Sequence, residues 1–542
     1  MKGKQGLLNM FVVIGVLLVV SNVQCVNTKV DPLVYLDQGL VRGQKATDGD
    51  YAYFLGIPYA KVDLDNPFGP STPHPGFEEE IFNAYDGSIN CPQPEYSNSK
   101  YFGNQNIDCL ILNVFVPNSA STTNPLPVLV YVHGGGFIAG SIEEYGVPNV
   151  VKEGVIVVLM NYRLGPYGFF CLDTPLAPGN QGLKDQYEAL RWVRKNIAAF
   201  GGNPYNVTLG GLSAGSRSVI FHLYSPQDKL FDKIIAQSGA GLEKSDDGDH
   251  YAIATAEYLG FNTSDTEKAL EFLASTSHDL VIDAVTNLGL DLRPCIERSF
   301  SGIENIITNE AYPLSNEEKV KNTPILIGRT SKEYKTYSNI IDDSCQNNIF
   351  YCTIGYHFNM DKIQIQDIGD TIMHYYLGDQ SLSSGVEEEL AAFMSDFRYN
   401  HGVQRVIDSL LNEKASPIFE YVFSYGESGA SHADDYLYLF QNTYDNEEQQ
   451  MLSDRLVSLW ANFVKYGNPT PQVTELLPVI WEPVSDDNRP YLDINSDLRL
   501  EHRFHYESMA FWDLFYKAYG KYHKLARIFR VFYDHLLHVY YR

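Results

Sequence analysis

Six short runs of the chain are apolar without alternation: PVLVYVHG (127–134), GVIVVLMNYR (154–163), VTLGG (207–211), KIIAQSG (233–239), PILIGR (324–329) and PIFEYVFSY (417–425). A strand with one wet face alternates apolar and polar residues. Runs such as these predict strands buried on both faces, the pattern of a parallel sheet between two helical layers. The stretches between them carry a different period. In GLKDQYEALRWVRKNIAAF (182–200), Leu183, Tyr187, Leu190, Val193 and Ile197 fall at helical spacing, and the glycine pair after Phe200 ends the helix. Strands alternating with helices predict an α/β layered fold. With 44% hydrophobic residues, 13% aromatics and no internal repeat or low-complexity linker, the 542-residue chain reads as one domain from about 26 to 519, not as a disordered protein.

The two ends differ from this body. Lys2 and Lys4 precede MFVVIGVLLVV (10–20), an apolar core too short to span a bilayer comfortably, and SNVQC offers a cleavage region near Cys25. Residues 1–25 therefore read as a secretory signal. The formal charge is −27, or −29 once those two lysines leave. A surface so acidic repels nucleic acid and anionic membranes, which argues against both as partners. No later stretch is long and apolar enough to cross a membrane, so the expected product is secreted. At the far end, 520–542 carries five basic side chains and one aspartate, a net charge of +4, with Leu525, Ile528, Phe529, Phe532, Leu536 and Val539 at helical spacing. This predicts a basic amphipathic helix that docks on the chain's own acidic body, pairs with another subunit or lies on a membrane surface.

An exported chain can oxidise its cysteines. Seven are present, and Cys25 leaves with the signal. Cys91 and Cys109 bracket one loop and Cys345 and Cys352 another, so both pairs are expected bridges, although spacing alone does not fix connectivity. Cys171 and Cys295 lie in apolar surroundings and are expected as buried free thiols. There is no CxxC pair and no HExxH, so neither a metal nor another cofactor is expected. The sequons Asn206-Val-Thr and Asn262-Thr-Ser permit glycosylation, and the polar neighbourhood of Asn262 favours it as the acceptor.

Ser213 stands between Gly211 and Gly215, where the strand VTLGG gives way to the helical run RSVIFHLYS. A serine at so tight a turn takes a strained backbone, and side chains at the flanking positions would strike the strand or the helix. Such a turn aims the hydroxyl out of the sheet with a positive helix N-terminus beneath it, the setting of a nucleophile. HGGGF (133–137) follows the strand PVLVYV. Its glycines let backbone N–H groups approach a ligand closely. With the N–H of Ala214, those of Gly135 and Gly136 can stabilise the oxygen that turns negative when a serine attacks a carbonyl.

These pieces do not stand alone. FLGIPYA (54–60), DCLILNVFVP (108–117), HGGGF, NYRLGPYGF (161–169), GNQGLKDQ (179–186), GLSAG (211–215), AQSGA (236–240), WANFVKYGNP (460–469) and MAFWDLFY (509–516) follow one another in order. Together they resemble the blocks of the type-B carboxylesterase and cholinesterase family. The resemblance covers nearly the whole mature chain. It implies the α/β-hydrolase fold, a large twisted, mostly parallel sheet with helices on both faces. It also implies two partners for Ser213. ILIGRTSKEY (325–334) resembles the segment that carries the family's acidic residue, which puts Glu333 in that role. Lys332 and Tyr334, however, stand where an acidic residue and a glycine are usual. GASHADDYLYLF (429–440) resembles the family's histidine loop and puts His432 in the role of base. The order serine, acid, histidine is that of α/β hydrolases, and the implied activity is hydrolysis of small-molecule carboxylic esters through an acyl-enzyme.

Departures from the pattern bear on substrate. Many members carry a glutamate beside the nucleophile, which cholinesterases use in handling a cation. Leu212 leaves that wall apolar and suits neutral esters. Trp192, Trp460, Trp481 and Trp512 all fall in framework-like blocks. The loop between Cys91 and Cys109, where cholinesterases place a choline-stacking tryptophan, has none, which argues against choline esters. Leu288 and Leu290, in NLGLDLRPCIE, fall near the acyl-pocket aromatics of cholinesterases and suggest a roomier acyl site; they read equally well as core leucines. The arginine usual before Phe68 and its glutamate partner, here Ile107, are both absent, so no charge is left unpaired. The disulfide loop expected after Leu259 has no cysteines. In style the motifs resemble secreted arthropod esterases, including juvenile-hormone and pheromone-degrading types, although juvenile-hormone esterases usually carry glutamine at the Leu212 position. Two other readings share the scaffold. A catalytically silent adhesion homologue usually loses a member of the triad and often adds a transmembrane stem, neither of which is seen here. A lipase or thioesterase uses the same triad on another substrate.

Overall fold

The computed structural model describes residues 32–94, 104–239, 248, 250–308, 317–335, 348–383, 385–441 and 444–523. The expected signal (1–25), Cys345 and nearly all of the expected basic helix lie outside them. The main sheet has eleven strands among the described residues. In chain order they are β1 (Gln44–Lys45), β2 (Tyr51–Pro58), β3 (Ile111–Pro117), β4 (Leu126–Val132), β5 (Ile156–Met160) and β6 (Gly202–Leu212), then β7 (Lys233–Gln237), β8 (Ile325–Thr330), β9 (Ile418–Phe423), β10 (Pro490–Ile494) and β11 (Leu498–His502). Across the sheet they run β1-β2-β3-β5-β4-β6-β7-β8-β9-β10-β11. From β5 to β10 every neighbour is parallel. The outer pairs are antiparallel.

All six apolar runs lie in this sheet, and the packing explains their lack of alternation. Along β4, Val128, Val130 and Val132 enter one core while Leu129 and Tyr131 enter another. β7 divides Ile234 from Ile235 in the same way, and β8 divides Ile325 and Ile327 from Leu326. Each face meets its own apolar layer, so neither can be polar. The helices Gln181–Asn196 and Ala214–Tyr224 supply Leu183, Leu190, Val219 and Ile220 to the first layer. The helix Glu447–Tyr466 supplies Leu456, Trp460 and Phe463 to the second. A third apolar cluster joins the helices Ile349–His357, Lys362–Leu377 and Glu387–Ser395 to Tyr506–Tyr519. All four tryptophans are buried in these layers. The helix expected over 182–200 runs from Gln181 to Asn196, tightens to a 3₁₀ turn at Ile197–Phe200 and stops at Gly201, where φ is +77°.

The strand order contains a switch. From β4 the chain steps to β5 on one side and returns to β6 on the other, with Gly211 of β6 in register with Val132 of β4. The loops after β4 and β6 therefore leave the sheet side by side, in the crevice where open α/β sheets bind ligands.

Cys91 and Cys109 are bonded, with Cα atoms 5.1 Å apart. Cys352 is also disulfide-bonded. The expectation of free thiols at Cys171 and Cys295 is wrong: they form a disulfide across 124 residues. The cause is non-local. Asn180 accepts from the Cys295 N–H at 2.9 Å and donates to its carbonyl at 2.8 Å, which folds the loop carrying Cys295 onto the turn beside Cys171. Gly179 leaves room, since a Cβ there would come within 2.7 and 2.8 Å of the two sulfurs. Among the described residues no helix is long and apolar enough to cross a membrane.

Candidate active site

Ser213 links β6 to the helix Ala214–Tyr224 with φ 56° and ψ −116°. That conformation costs roughly 1–3 kcal/mol and persists only where the surroundings impose it. Here the Ser213 N–H donates to Gln237 O at 2.8 Å, across from β6 to β7. A Cβ on Gly211 would lie 2.5 Å from the Gly215 carbonyl carbon, and one on Gly215 would lie 2.1 Å from Val132 O. These are the collisions the sequence anticipates. A third glycine, Gly239, is held as tightly: its Cβ would stand 2.3 Å from Ser213 O. It lies in the AQSGA block, which was legible as a motif without showing its purpose.

The loops after β8 and β9 converge on the serine. His432 Nε2 lies 3.0 Å from Ser213 Oγ, and His432 Nδ1 lies 2.6 Å from Glu333 Oε2. Glu333 is buried, and its other oxygen accepts the Thr330 N–H at 2.9 Å. A carboxylate taken out of water needs such partners. The two loops are stitched by backbone as well. Lys332 N–H donates to Ala430 O at 2.9 Å, and His432 N–H donates to Glu333 O at 3.1 Å. Ser331 Oγ accepts the Ala430 N–H at 3.0 Å. The unusual Tyr334 is accommodated by Ser395, whose Oγ accepts its N–H at 2.9 Å.

The loop after β4 brings its glycines alongside. Gly135 has φ +110° and Gly136 has φ +65°, and a Cβ on Gly135 would meet Ala139 O at 2.0 Å. His133 pins the start of this loop, with Nδ1 2.8 Å from Gly134 O and its ring stacked on Tyr162 at 4.4 Å. Burial holds the His133 imidazole down to about 4, so it is neutral at pH 7 and its Nδ1–H donates to that carbonyl. Among the described residues, no hydrogen bond uses the N–H of Gly135, Gly136 or Ala214.

Comparison with known proteins bears on what such a site does. Residues 30–512 match the family described as "Carboxylesterase family". This chain belongs to the carboxylesterase family. It is 30% identical to Esterase FE4 of Myzus persicae, over 88% of this chain and 90% of that one. It is 27% identical to the juvenile hormone esterase of Heliothis virescens, over 86% and 90%. The crystal structure of the Manduca sexta juvenile hormone esterase, with OTFP covalently attached, shares the fold with a TM-score of 0.78 at 24% identity, covering 89% of this chain and 99% of that one. The protein is a carboxylic-ester hydrolase with the α/β-hydrolase fold.

Beneath the site this carboxylesterase carries a buried polar network that sequence reasoning missed. Gln237, whose carbonyl holds the Ser213 N–H, accepts on its side chain from Tyr131 Oη at 2.9 Å and Trp460 Nε1 at 3.3 Å. Its amide donates to Asp435 Oδ2 at 2.9 Å, which also accepts from Tyr421 Oη at 2.7 Å. Burial pushes the Asp435 carboxyl upward. Both Gln237 and Asp435 lie in quoted motifs, beside Ser238-Gly239 and just after His432, but their meeting depends on the packing of β7 against the histidine loop.

Leu212 is buried in the esterase's second core with Tyr131, Tyr145, Ile235 and Phe440. Leu288 caps the helix His278–Asn287, and Leu290 packs against the first core. Asn206 is tied by its side chain to Lys233 Nζ and to Lys465 O, and Thr208 of its sequon is buried, whereas Asn262 is exposed.

Proposed function

We propose that the esterase cleaves neutral, apolar carboxylic esters with Ser213 as nucleophile, His432 as general base and acid, and Glu333 as the carboxylate that orients the imidazole. In acylation, Ser213 Oγ bonds to the carbonyl carbon while its proton passes to His432 Nε2. The carbonyl oxygen becomes an oxyanion facing the N–H groups of Gly135, Gly136 and Ala214; one such donor is typically worth ~2.7–4 kcal/mol of barrier. The bond from carbonyl carbon to alcohol oxygen then breaks, and Nε2 returns its proton to the departing alcohol. Water repeats the sequence in reverse, activated by the same imidazole, and frees the acid and the serine.

The observation that carries this reading is the unbroken chain from Ser213 Oγ through both imidazole nitrogens to Glu333, with steps of 3.0 and 2.6 Å. The apolar setting of Leu212 supports the preference for uncharged substrates. Secretion is supported by the amino-terminal signal pattern and by disulfides that persist in oxidising compartments. The test is fluorophosphonate labelling of the full chain followed by peptide mapping. An adduct on Ser213, lost in Ser213→Ala, is expected; an unlabelled protein, or an adduct elsewhere, overturns the assignment. Neutral esters of rising acyl length then separate a short-chain esterase from a lipase.

A further inference from the structure

One turn of helix in this esterase is wound differently from its neighbours. Glu387–Ser395 and His401–Asn412 are α-helical, while Asp396–Asn400 between them is a π-turn in which the His401 N–H reaches back five residues to Asp396 O. Such turns hold an extra residue and recur at functional sites, because they redirect a side chain without breaking the helix. Here the side chain is Tyr399. Its ring packs on the imidazole of His432, with centroids 4.7 Å apart and planes inclined at 42°.

The turn is fixed by the segment that carries Glu333. Arg329, on β8, donates from Nη1 to Asn400 O at 2.7 Å, and the Tyr334 N–H donates to Ser395 Oγ at 2.9 Å. Inside the turn, Asn400 Nδ2 donates to Asp396 Oδ1 at 2.7 Å, and Tyr376 Oη donates to Asp396 Oδ2 at 2.8 Å. Tyr399 is therefore positioned by the elements that position the imidazole.

We propose that Tyr399 is the wall against which the leaving alcohol of the ester is held, and that it sets the alcohol-side preference of the enzyme. This rests on the reading of Ser213 and His432 given above. To protonate the leaving oxygen, His432 Nε2 must come within about 3 Å of it. The substituent on that oxygen therefore begins beside the imidazole, while the carbonyl oxygen is turned toward Gly135, Gly136 and Ala214. Tyr399 and His432 are both partly exposed, whereas Glu333 behind them is buried, so the two rings border the same accessible space. An aromatic wall there favours apolar and aromatic alcohols over small ones.

The alcohol has left before deacylation begins, whereas His432 serves both steps, and this separates a wall from a structural prop. Single-turnover rates on the full chain, with methyl and benzyl butanoate, give acylation for each alcohol and hydrolysis of the butanoyl-enzyme they share. In Tyr399→Ala the benzyl-to-methyl ratio of acylation rates is expected to fall about tenfold, without a matching fall in butanoyl-enzyme hydrolysis. Tyr399→Phe, which keeps the ring and guards against a folding defect, is expected to keep the ratio. An equal loss for both alcohols, or a parallel loss in hydrolysis of the butanoyl-enzyme, overturns the proposal alone. A wild-type protein that forms no butanoyl-enzyme overturns it together with the triad reading.

Discussion

Glu333 holds His432 at two points: its side chain meets Nδ1 at 2.6 Å, and its backbone carbonyl accepts the histidine N–H at 3.1 Å. The backbone bond sets where the histidine sits, and the carboxylate sets which nitrogen carries the proton. Glu333→Gln keeps an acceptor for the Thr330 N–H but no longer stabilises an imidazolium. The variant is expected to fold with nearly unchanged KM for a neutral ester, and its kcat to fall on the order of 10³–10⁴-fold. A loss below tenfold would mean that Glu333 does not serve the histidine in catalysis.

Gly239 separates steric cost from conformational cost. A Cβ there would press on Ser213 O at 2.3 Å, whereas Gly302, at φ +80°, has nothing within 4 Å. Gly302→Ala is expected to cost about 1 kcal/mol, from backbone strain alone. Gly239→Ala must displace the serine's own peptide, and a loss of about 2–4 kcal/mol is expected together with slower fluorophosphonate labelling. Urea unfolding and labelling rates on the two variants check this directly.

What the sequence reveals follows the range of the contacts involved. Gly211 and Ser213 were legible because the collision of Gly211 with Gly215 arises within one turn, although Gly215 itself would strike Val132 O on β4. The strands were legible because successive apolar residues of β4 and β8 divide between two apolar layers. Glu333 and His432 lie 99 residues apart and meet only because β8 and β9 are neighbours, so their pairing rested on resemblance. The link from Gln237 to Asp435 spans 198 residues and left no local mark. The π-turn under Tyr399 was equally invisible, since the polar groups that fix it come from Arg329 and Tyr334 on another element.

The Cys171–Cys295 disulfide is the case in which local reasoning failed outright, since apolar neighbours describe a buried thiol and a buried bridge equally well. Closing a loop of 124 residues restricts the unfolded chain strongly. The Cys171→Ser/Cys295→Ser double variant is expected to lose about 2–5 kcal/mol in urea unfolding. Peptide mapping without reduction should find the two segments linked. Alkylation of both cysteines in the denatured, unreduced protein would exclude the bridge.

His133 gives the glycine loop after β4 a pH dependence. Its folded value of about 4 lies below the ordinary value near 6.5 because the imidazole is buried. The unfolded chain therefore takes up a proton before the folded one does. The stability gained from a neutral His133 is complete above about pH 6.5, is lost as pH falls toward 4, and is level below that. Against His133→Asn, which keeps a donor for Gly134 O without titrating, the wild type is expected to lose on the order of 2–3 kcal/mol across that window. Urea midpoints at several pH values test the difference, which cancels contributions from the acidic residues common to both proteins.

Charge and the proposed substrate preference pull in opposite directions in this molecule. A formal charge of −27 draws cations toward the surface over long range, an effect that salt screens within about 8–10 Å. Beside Ser213, however, the preceding residue is a buried leucine that shares its core with Tyr131, Tyr145 and Phe440 and brings no charge of its own to receive a cation. Binding at the reacting centre decides kcat/KM more than the approach does, unless encounter is limiting. An acetate ester of a neutral, branched alcohol is therefore expected to be cleaved at least tenfold more efficiently than its quaternary-ammonium isostere. Raising salt from 20 to about 300 mM is expected to lower kcat/KM for the cation and leave the neutral ester unaffected. A cationic ester cleaved as well as its neutral twin at high salt would mean that some other group supplies the missing charge, and the apolar wall at Leu212 would no longer account for the specificity.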